Sequence, residues 1–235
     1  MQIGEQKIVY ENRFDAGRKL AEKLMTYRSK EVIVLAIPNG GLPVALQVAL
    51  ALDADLDLVI SRKLPIPLRP EGGFGAVADD GTVMLNQDVV KSVNISQQQV
   101  NYQVQKVRND VQQRSLLYRG NRTISVVADK VAIIVDDGLA SGYTMMAAVE
   151  SVRRRKPAEI VVAVPAASAT AVKLVSKVAD RVVTGVTSYA PKFYVSDYYK
   201  YWHVLSDEEG LKCLKEWRVR KYSPSIKTPN KKTEQ

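Results

Sequence analysis

Continuous runs of aliphatic and β-branched residues most strongly constrain what this chain can fold into. The clearest runs are Val32 to Ile37, Val131 to Val135 and Glu159 to Val164. A strand buried on both faces of a parallel sheet has such a run, whereas a strand with one solvated face alternates apolar and polar residues. Shorter strands are predicted over Leu56 to Ser61 and Arg181 to Val186. The runs therefore predict a sheet that is covered on both faces.

Helical segments separate these strands. Apolar residues recur at helical spacing, which predicts helices over 13–28, 42–51, 96–118, 144–155, 169–178 and 207–217. Ser96 is the predicted N-cap of the third helix. Strands that alternate with helices are joined by right-handed crossovers, so we expect an α/β fold with a parallel, Rossmann-like sheet. Ligands bind outside the carboxyl ends of such strands, and the loops that follow the strands are the candidate site.

Residues 64–82 interrupt the alternation, with three prolines and four glycines among 19 positions. This composition predicts a long flexible loop, and long loops inside compact domains often act as lids. From residue 221 onward, Pro, Ser, Lys, Thr and Asn dominate and no periodicity remains. We therefore expect one domain over 1–220 and a basic, disordered tail over 221–235.

The balance of charged and sulfur-containing residues excludes several classes of function. The net charge is +9, of which residues 212–235, with eight basic and two acidic side chains, contribute +6. Nucleic-acid binding is thus expected only through the tail. The single cysteine allows no internal disulfide and indicates a reducing, cytoplasmic setting, while the single histidine argues against a His-rich zinc site. Apolar stretches are too short to span a membrane.

The loop after Val135 carries the strongest chemical signal. Two carboxylates, Asp136 and Asp137, end the strand, and a glycine-rich turn leads into a helix. Unpaired N–H groups at a helix N-terminus bind phosphate, and adjacent carboxylates need a partner such as ribose hydroxyls or a hydrated divalent cation. The alternative is an ordinary capped helix preceded by a solvated aspartate pair.

This loop resembles the PRPP-binding motif of the type I phosphoribosyltransferases, over Val135-Asp136-Asp137-Gly138-Leu139-Ala140-Ser141-Gly142-Tyr143-Thr144. Similarity to a little-characterised microbial subfamily extends from Arg13 to about Leu214. It implies the type I phosphoribosyltransferase fold, with a five-stranded parallel sheet, a flexible catalytic loop and a small hood at about 187–205. It also implies a homodimer.

The resemblance assigns roles in binding 5-phosphoribosyl-1-pyrophosphate (PRPP). It implies that Asp136 and Asp137 hold the ribose hydroxyls and, through water, Mg²⁺. The residues implied to wrap the 5′-phosphate are Ala140, Ser141, Gly142, Tyr143 and Thr144. Those implied to contact pyrophosphate are Asn39, Gly40, Gly41, Arg62 and Lys63.

Each of these pyrophosphate segments has a simpler interpretation. Pro38 to Gly41 also fits a helix entry turn, and a cis peptide is expected at Asn39–Gly40 if it is the pyrophosphate loop. Asn39 stands where similar sequences often have arginine. Arg62 and Lys63, implied to be catalytic, also fit two solvated surface cations.

The hood and two departures from the family pattern indicate which base would accept the phosphoribosyl group. Phe193 and Tyr194 fall where purine transferases stack the base, although core or dimer-interface aromatics are an alternative. In 6-oxopurine transferases an acidic residue stands at the position of Ala140 and a lysine near that of Ala163, and both are missing here. An adenine-like or pyrimidine base is therefore expected.

The function implied is a Mg²⁺-dependent phosphoribosyltransferase of nucleotide salvage, which joins PRPP to a nucleobase. One alternative is a regulatory, nucleic-acid-binding protein of the same fold that senses PRPP without catalysis. Another is phosphoribosyl transfer to an acceptor other than a base. Asp137→Asn is expected to lower turnover strongly with little loss of stability.

Overall fold

A five-stranded parallel sheet forms the centre of the molecule, as the sequence predicts. The structure, a computed structural model, describes residues 8–120 and 122–222. The strand order is β2-β1-β6-β7-β8. The bounds are β1 (Val32–Ala36), β2 (Asp55–Leu58), β6 (Val131–Val135), β7 (Glu159–Ser168) and β8 (Arg181–Ser188). The second predicted strand is displaced, because β2 ends at Leu58 and Ser61 begins another strand.

Every residue of β1 and β6 is buried, which accounts for their unbroken apolar sequence. Successive side chains point to opposite faces of the sheet, so Val34 and Ile133 join one apolar cluster while Leu35 and Ile134 join the other. Helices cover both clusters. The alternation therefore places the carboxyl ends of β1 and β6 side by side at one edge of a fully covered sheet.

The helices follow the predicted positions with shifted ends. Their bounds are α1 (Arg13–Glu22), α2 (Gly41–Leu52), α3 (Gln87–Ser92), α4 (Gln97–Arg119), α5 (Tyr143–Arg153), α6 (Ala169–Val175) and α7 (Asp207–Tyr222). Ser96 is confirmed as an N-cap, in a capping box with Gln99 that stabilises the start of a polar helix. The short α3 is an element that the sequence did not predict.

The prediction of a long loop over 64–82 is wrong. This segment lies in a three-stranded antiparallel sheet of β3 (Ser61–Ile66), β4 (Arg69–Ala78) and β5 (Val83–Leu85). Glycine within a strand marks close approach of another backbone. At Gly75 a Cβ atom would lie 3.1 Å from Cα of Leu85, and closer to a neighbouring carbonyl oxygen. The glycines that indicated a loop therefore permit tight strand pairing.

The C-terminal helix α7 runs to Tyr222, beyond the predicted end at Trp217 and into the predicted tail. Of the eight basic residues in 212–235, five lie on this helix, so less of the charge belongs to the tail than the sequence suggested. The rest of the predicted tail, 223–235, lies outside the described residues. Among the described helices, none combines the length and apolar character needed to cross a bilayer.

Cys213 on α7 is 4% exposed, and burial raises the pKa of its thiol to about 11. Because the thiolate is the reactive form, only about one thiol in a thousand is ionised at pH 8. We expect the native protein to react with a disulfide reagent far more slowly than a free thiol, and the denatured chain to take up one equivalent rapidly. Rapid labelling of the native protein at pH 8 would contradict this packing.

Candidate functional site

Two loops meet at the carboxyl ends of the neighbouring strands β1 and β6. The N–H of Ile37 donates to the carbonyl of Val135 over 2.9 Å, which holds the start of one loop against the end of β6. A Cβ atom at Gly41 would lie 2.5 Å from the same carbonyl, so only glycine fits this contact. The peptide bond between Pro38 and Asn39 is cis. The cis bond predicted at Asn39–Gly40 is therefore one residue earlier.

Hydrogen bonds hold the loop from Asp136 to Gly142 against β7, the next strand of the sheet. The N–H of Leu139 donates to Ala166, and the hydroxyl of Ser168 donates to the carbonyl of Ala140 over 2.8 Å. Gly142 has φ of +87°, which favours glycine, and it begins α5 without a side-chain cap. The first N–H groups of α5 therefore remain available for an anion at the predicted 5′-phosphate loop.

The two aspartates lie in one largely water-excluded position. The N–H of Asp137 donates to Oδ1 of Asp136 over 2.8 Å. Burial, followed by the neighbouring charge of Asp137, raises the pKa of Asp136 well above its usual value. Burial also raises the pKa of Asp137, although the nearby Arg13 opposes this shift. The pair therefore carries a desolvation cost that a bound cation or hydroxyl donor would offset.

Arg13 is a site residue that the sequence analysis missed. Its Nε lies 2.7 Å from Oδ2 of Asp137, and the side chains are only 7% and 15% exposed. Arg13 and Asp137 are 124 residues apart in sequence, so no local motif signals the pair. The expectation that Asp137→Asn would cost little stability is therefore revised, because this change would leave a buried guanidinium without its carboxylate.

A cavity of about 430 Å³ brings Arg62 and Lys63 together with Asp136 and Thr144. Its remaining walls come from the loop after β1, the β3–β4 hairpin and α4, and its lining includes Ile37, Pro38, Ser61, Gln103, Lys106 and Asp110. Arg62 and Lys63 lie within β3 rather than before a loop. Burial, and then the charge of Arg114, lowers the pKa of Arg62. The cavity lining thus combines cations of the small sheet with a carboxylate at the end of β6.

A second cavity, of about 590 Å³, opens beside the same phosphate loop. Ser141 and Tyr143 contribute to its lining, together with Lys173 in α6 and Lys177 just after it. Thr144 lines the first cavity instead. The predicted 5′-phosphate loop therefore separates the two cavities, and its side chains divide between them.

The side chain of Asn39 is occupied within the protein. Its amide donates to the carbonyl of Leu205 over 2.8 Å and to Asp207 over 2.9 Å. Its oxygen accepts from Arg114 over 2.6 Å and from Tyr118 over 2.9 Å. The amide thus ties the loop after β1 to α4 and α7, and only the main chain of Asn39 is left for the predicted pyrophosphate contact.

The predicted base-binding residues lie in the segment that packs on the phosphate loop. Val195 of this segment contacts Gly138 closely enough that a Cβ atom at Gly138 would lie 2.5 Å from its methyl groups. Phe193 stacks on Tyr198 with ring centroids 5.3 Å apart, while Tyr194 is exposed. Their role toward a base stays a prediction.

The carboxylates at the site suit a metal ion that binds together with the substrate. No group of three or more His, Cys, Asp or Glu side chains that could hold a metal is present in residues 8–120 and 122–222. Mg²⁺ usually keeps several waters and binds through one or two carboxylates plus substrate phosphates. Asp136 and Asp137 provide such a pair beside a cavity lined by cations.

Comparison with known proteins gives concordant matches. A family model described as "Phosphoribosyl transferase domain" matches residues 77–198. Two curated proteins of Mycobacterium tuberculosis, from strains CDC 1551 / Oshkosh and H37Rv, are named "Putative phosphoribosyl transferase" and are 37% identical over 206 residues. The match covers 88% of this chain and 46% of each relative, so the chain spans about half the length of these relatives.

A solved structure is also similar over most of the chain. The crystal structure of TT1426 from Thermus thermophilus has 32% sequence identity and a TM-score of 0.72. The similarity covers 89% of this chain and 99% of that chain.

Proposed function

The chain belongs to the phosphoribosyl transferase family, and on this premise we propose that it transfers the 5-phosphoribosyl group of PRPP to a nucleobase and releases pyrophosphate. One observation carries the proposal. The cavity at the ends of β1 and β6 joins the carboxylate of Asp136 to the cations of Arg62 and Lys63. PRPP needs this combination, because it carries a diphosphate beside the hydroxyl groups of its ribose.

The ligand is proposed to lie across the carboxyl edge of the sheet. The N–H groups at the start of α5 receive the 5′-phosphate, and Asp136 and Asp137 accept hydrogen bonds from the ribose hydroxyls. The diphosphate lies toward Arg62, whose planar guanidinium suits a phosphate group, and toward the main chain of the loop after β1. When bound with PRPP, Mg²⁺ supplies further neutralisation of the diphosphate charge.

The protein contributes orientation and charge stabilisation. In the proposed reaction a ring nitrogen of the base forms a bond to C1′ while the bond from C1′ to the pyrophosphate oxygen breaks. Arg62 and Lys63 stabilise the charge that develops on the leaving pyrophosphate, and the aspartates stabilise positive charge on the ribose. The β3–β4 hairpin and α4 restrict access of water, which would otherwise hydrolyse PRPP.

An adenine-like or pyrimidine base is the proposed acceptor. Ala140 occupies an exposed position in the phosphate loop and brings no acidic side chain toward a base nitrogen. Ala163 is wholly buried in β7 and offers no contact to an exocyclic oxygen. Phe193 and Tyr194 are proposed to stack on the base, an interaction that contributes about 1–3 kcal/mol per base in other proteins.

A PRPP-sensing regulator of the same fold is the second candidate, and the net charge of +6 over residues 212–235 favours it. The two candidates differ in whether PRPP is consumed. Pyrophosphate release from PRPP and Mg²⁺, measured with a panel of purine and pyrimidine bases, supports the transferase. PRPP binding without turnover on the whole panel, together with binding of nucleic acid, supports the regulator.

Arg62→Gln is expected to weaken PRPP binding by about 10- to 100-fold, because it removes a charged hydrogen-bond donor from the diphosphate. Isothermal titration of PRPP in the presence of Mg²⁺ measures the effect. Arg69→Gln is the matched control, since Arg69 begins the neighbouring strand β4 and is exposed outside the cavity. Equal losses in the two variants would mean that general charge, and not the cavity, binds the ligand.

A further inference from the structure

Arg13, the first residue of α1, joins the proposed site to the predicted hood at about 187–205. Besides the ion pair with Asp137, its Nη1 donates to the carbonyl of His203 over 3.0 Å. Its guanidinium lies 3.8 Å from the ring centroid of Trp202. One buried cation therefore makes a hydrogen bond, an ion pair and a cation–π contact to groups that are distant in sequence.

Asp137 is restrained on several sides. The hydroxyl of Tyr199, also in the hood, donates to the carbonyl of Asp137 over 2.6 Å. Gly40 packs against the carboxylate so closely that a Cβ atom there would collide with it. Arg13 takes Oδ2, so Oδ1 is the oxygen that Arg13 does not contact. The contacts thus determine which oxygen of Asp137 is left for a ligand.

The two aspartates consequently differ in their surroundings. Asp136 contributes to the lining of the 430 Å³ cavity, whereas Asp137 is not among the lining residues and pairs with Arg13. A role confined to packing does not account for the choice of residue at position 13. An apolar side chain of similar size often stabilises a buried position as well as an ion pair does, because ions lose hydration on burial.

We propose that Arg13 is a positioning residue of the phosphoribosyl site, which orients Asp137 toward the ribose of PRPP and couples that orientation to the hood. The inference rests on the proposed function. If Arg13 is lost, Asp137 can rotate and the hood segment loses two of its contacts to the site. Weaker binding of PRPP is then expected even where the protein stays folded.

The test measures PRPP binding in the presence of Mg²⁺ by isothermal titration, at a temperature well below unfolding. Arg13→Gln is expected to weaken binding by at least tenfold. Arg13→Lys should recover part of the loss, because an ammonium group pairs with Asp137 but lacks the fork that also reaches His203. Arg18→Gln on the same helix is the matched control and should bind normally, since Arg18 is 60% exposed and, among the described residues, pairs with Asp15.

A double-mutant cycle separates positioning from a purely structural role. If Arg13 acts through Asp137, adding Arg13→Gln to Asp137→Asn should change PRPP affinity by less than twofold. A further loss of twofold or more in that background overturns the proposal. Arg13→Met, whose apolar chain can still pack on Trp202, is the second variant if the glutamine variant does not fold.

The failure of this inference and that of the proposed function are distinguishable. Wild-type protein that does not bind PRPP overturns the proposed function. Wild-type protein that binds PRPP, together with a folded Arg13→Gln or Arg13→Met variant of equal affinity, overturns only the role of Arg13.

Discussion

Asp136→Asn is expected to lower the rate of pyrophosphate release by about 10²–10³-fold, the usual effect of removing one charge-stabilising group from an active site. Asp136 is the aspartate that lines the cavity with Arg62 and Lys63. An asparagine of nearly the same shape keeps the fold but removes the negative charge that faces the ribose. The rate is measured with the base that supports wild-type turnover, and an unchanged rate would contradict the assigned site.

The same substitution is expected to raise the melting temperature at neutral pH. Burial and the neighbouring Asp137 raise the pKa of Asp136 in the folded protein, so the folded state holds this proton more tightly than the unfolded chain does. Stability is therefore lost as the pH rises from about 4 through the folded pKa. Asp136→Asn removes that loss, and the gap in melting temperature between variant and wild type should widen as the pH rises above about 4.

Asp137→Asn is the matched control, because it makes the same chemical change one residue away. Here the lost carboxylate is the partner of Arg13, whose side chain is 7% exposed. Burial raises the pKa of Asp137 as well, but here the unpaired buried cation is expected to cost more than removal of the raised pKa gains, so the melting temperature should fall. Opposite shifts for the two variants are the expected result, and a similar fall in both would contradict the distinction drawn between the two aspartates.

The central sheet was predictable because a strand that is buried on both faces consists almost entirely of apolar residues. The apolar runs of the wholly buried β1 and β6 fit only buried strands. The residues of the loop after β6 were enough to predict a phosphate-binding loop. The β3–β4 hairpin was not predictable in this way. Its glycines and prolines are typical of loops, and only the neighbouring strand shows that Gly75 is needed for close approach.

Contacts between residues far apart in sequence explain why part of the site could not be predicted. Asp136 was found because it follows the end of β6, where the fold class itself directs ligand binding, and Arg62 because it follows the strand predicted over Leu56 to Ser61. Arg13 and Arg114 were missed, since their partners Asp137 and Asn39 are 124 and 75 residues away. Nothing local distinguishes such an arginine from one on the surface, and the pairing follows only from the packing of α1 and α4.

The cluster around Arg119 holds the small sheet to the large one. Arg119 ends α4, and its Nη1 lies 2.7 Å from Oδ2 of Asp79, with both side chains almost fully buried. Its Nη2 donates to the carbonyl of Leu58, at the end of β2, over 2.6 Å. Arg155, just after α5, approaches the other oxygen of Asp79 at 3.3 Å. The end of β2 and the residue that follows β4 thus meet at Arg119, and Arg155 adds a second cation beside Asp79.

Arg119→Met is expected to lower the free energy of unfolding by about 3–5 kcal/mol, because it leaves a buried carboxylate with one longer ion pair and a carbonyl without its donor. For a chain of this size the loss corresponds to a fall in melting temperature of roughly 6–20 °C. Denaturant unfolding and thermal melting measure the two quantities. Arg119→Lys should recover part of the loss through the ion pair with Asp79 alone.

The exposed pair of Arg153 and Asp180 provides the control for Arg119→Met. Its atoms lie 3.3 Å apart, but both side chains are more than 40% exposed. Exposed ion pairs contribute about 0–1 kcal/mol, so Arg153→Met should change the melting temperature by only a few degrees. Because Asp79 follows the strand that pairs with β3, loss of Arg119 should also weaken PRPP binding through Arg62. Equal melting temperatures for the two variants would show that solvent or local rearrangement replaces the cluster around Arg119.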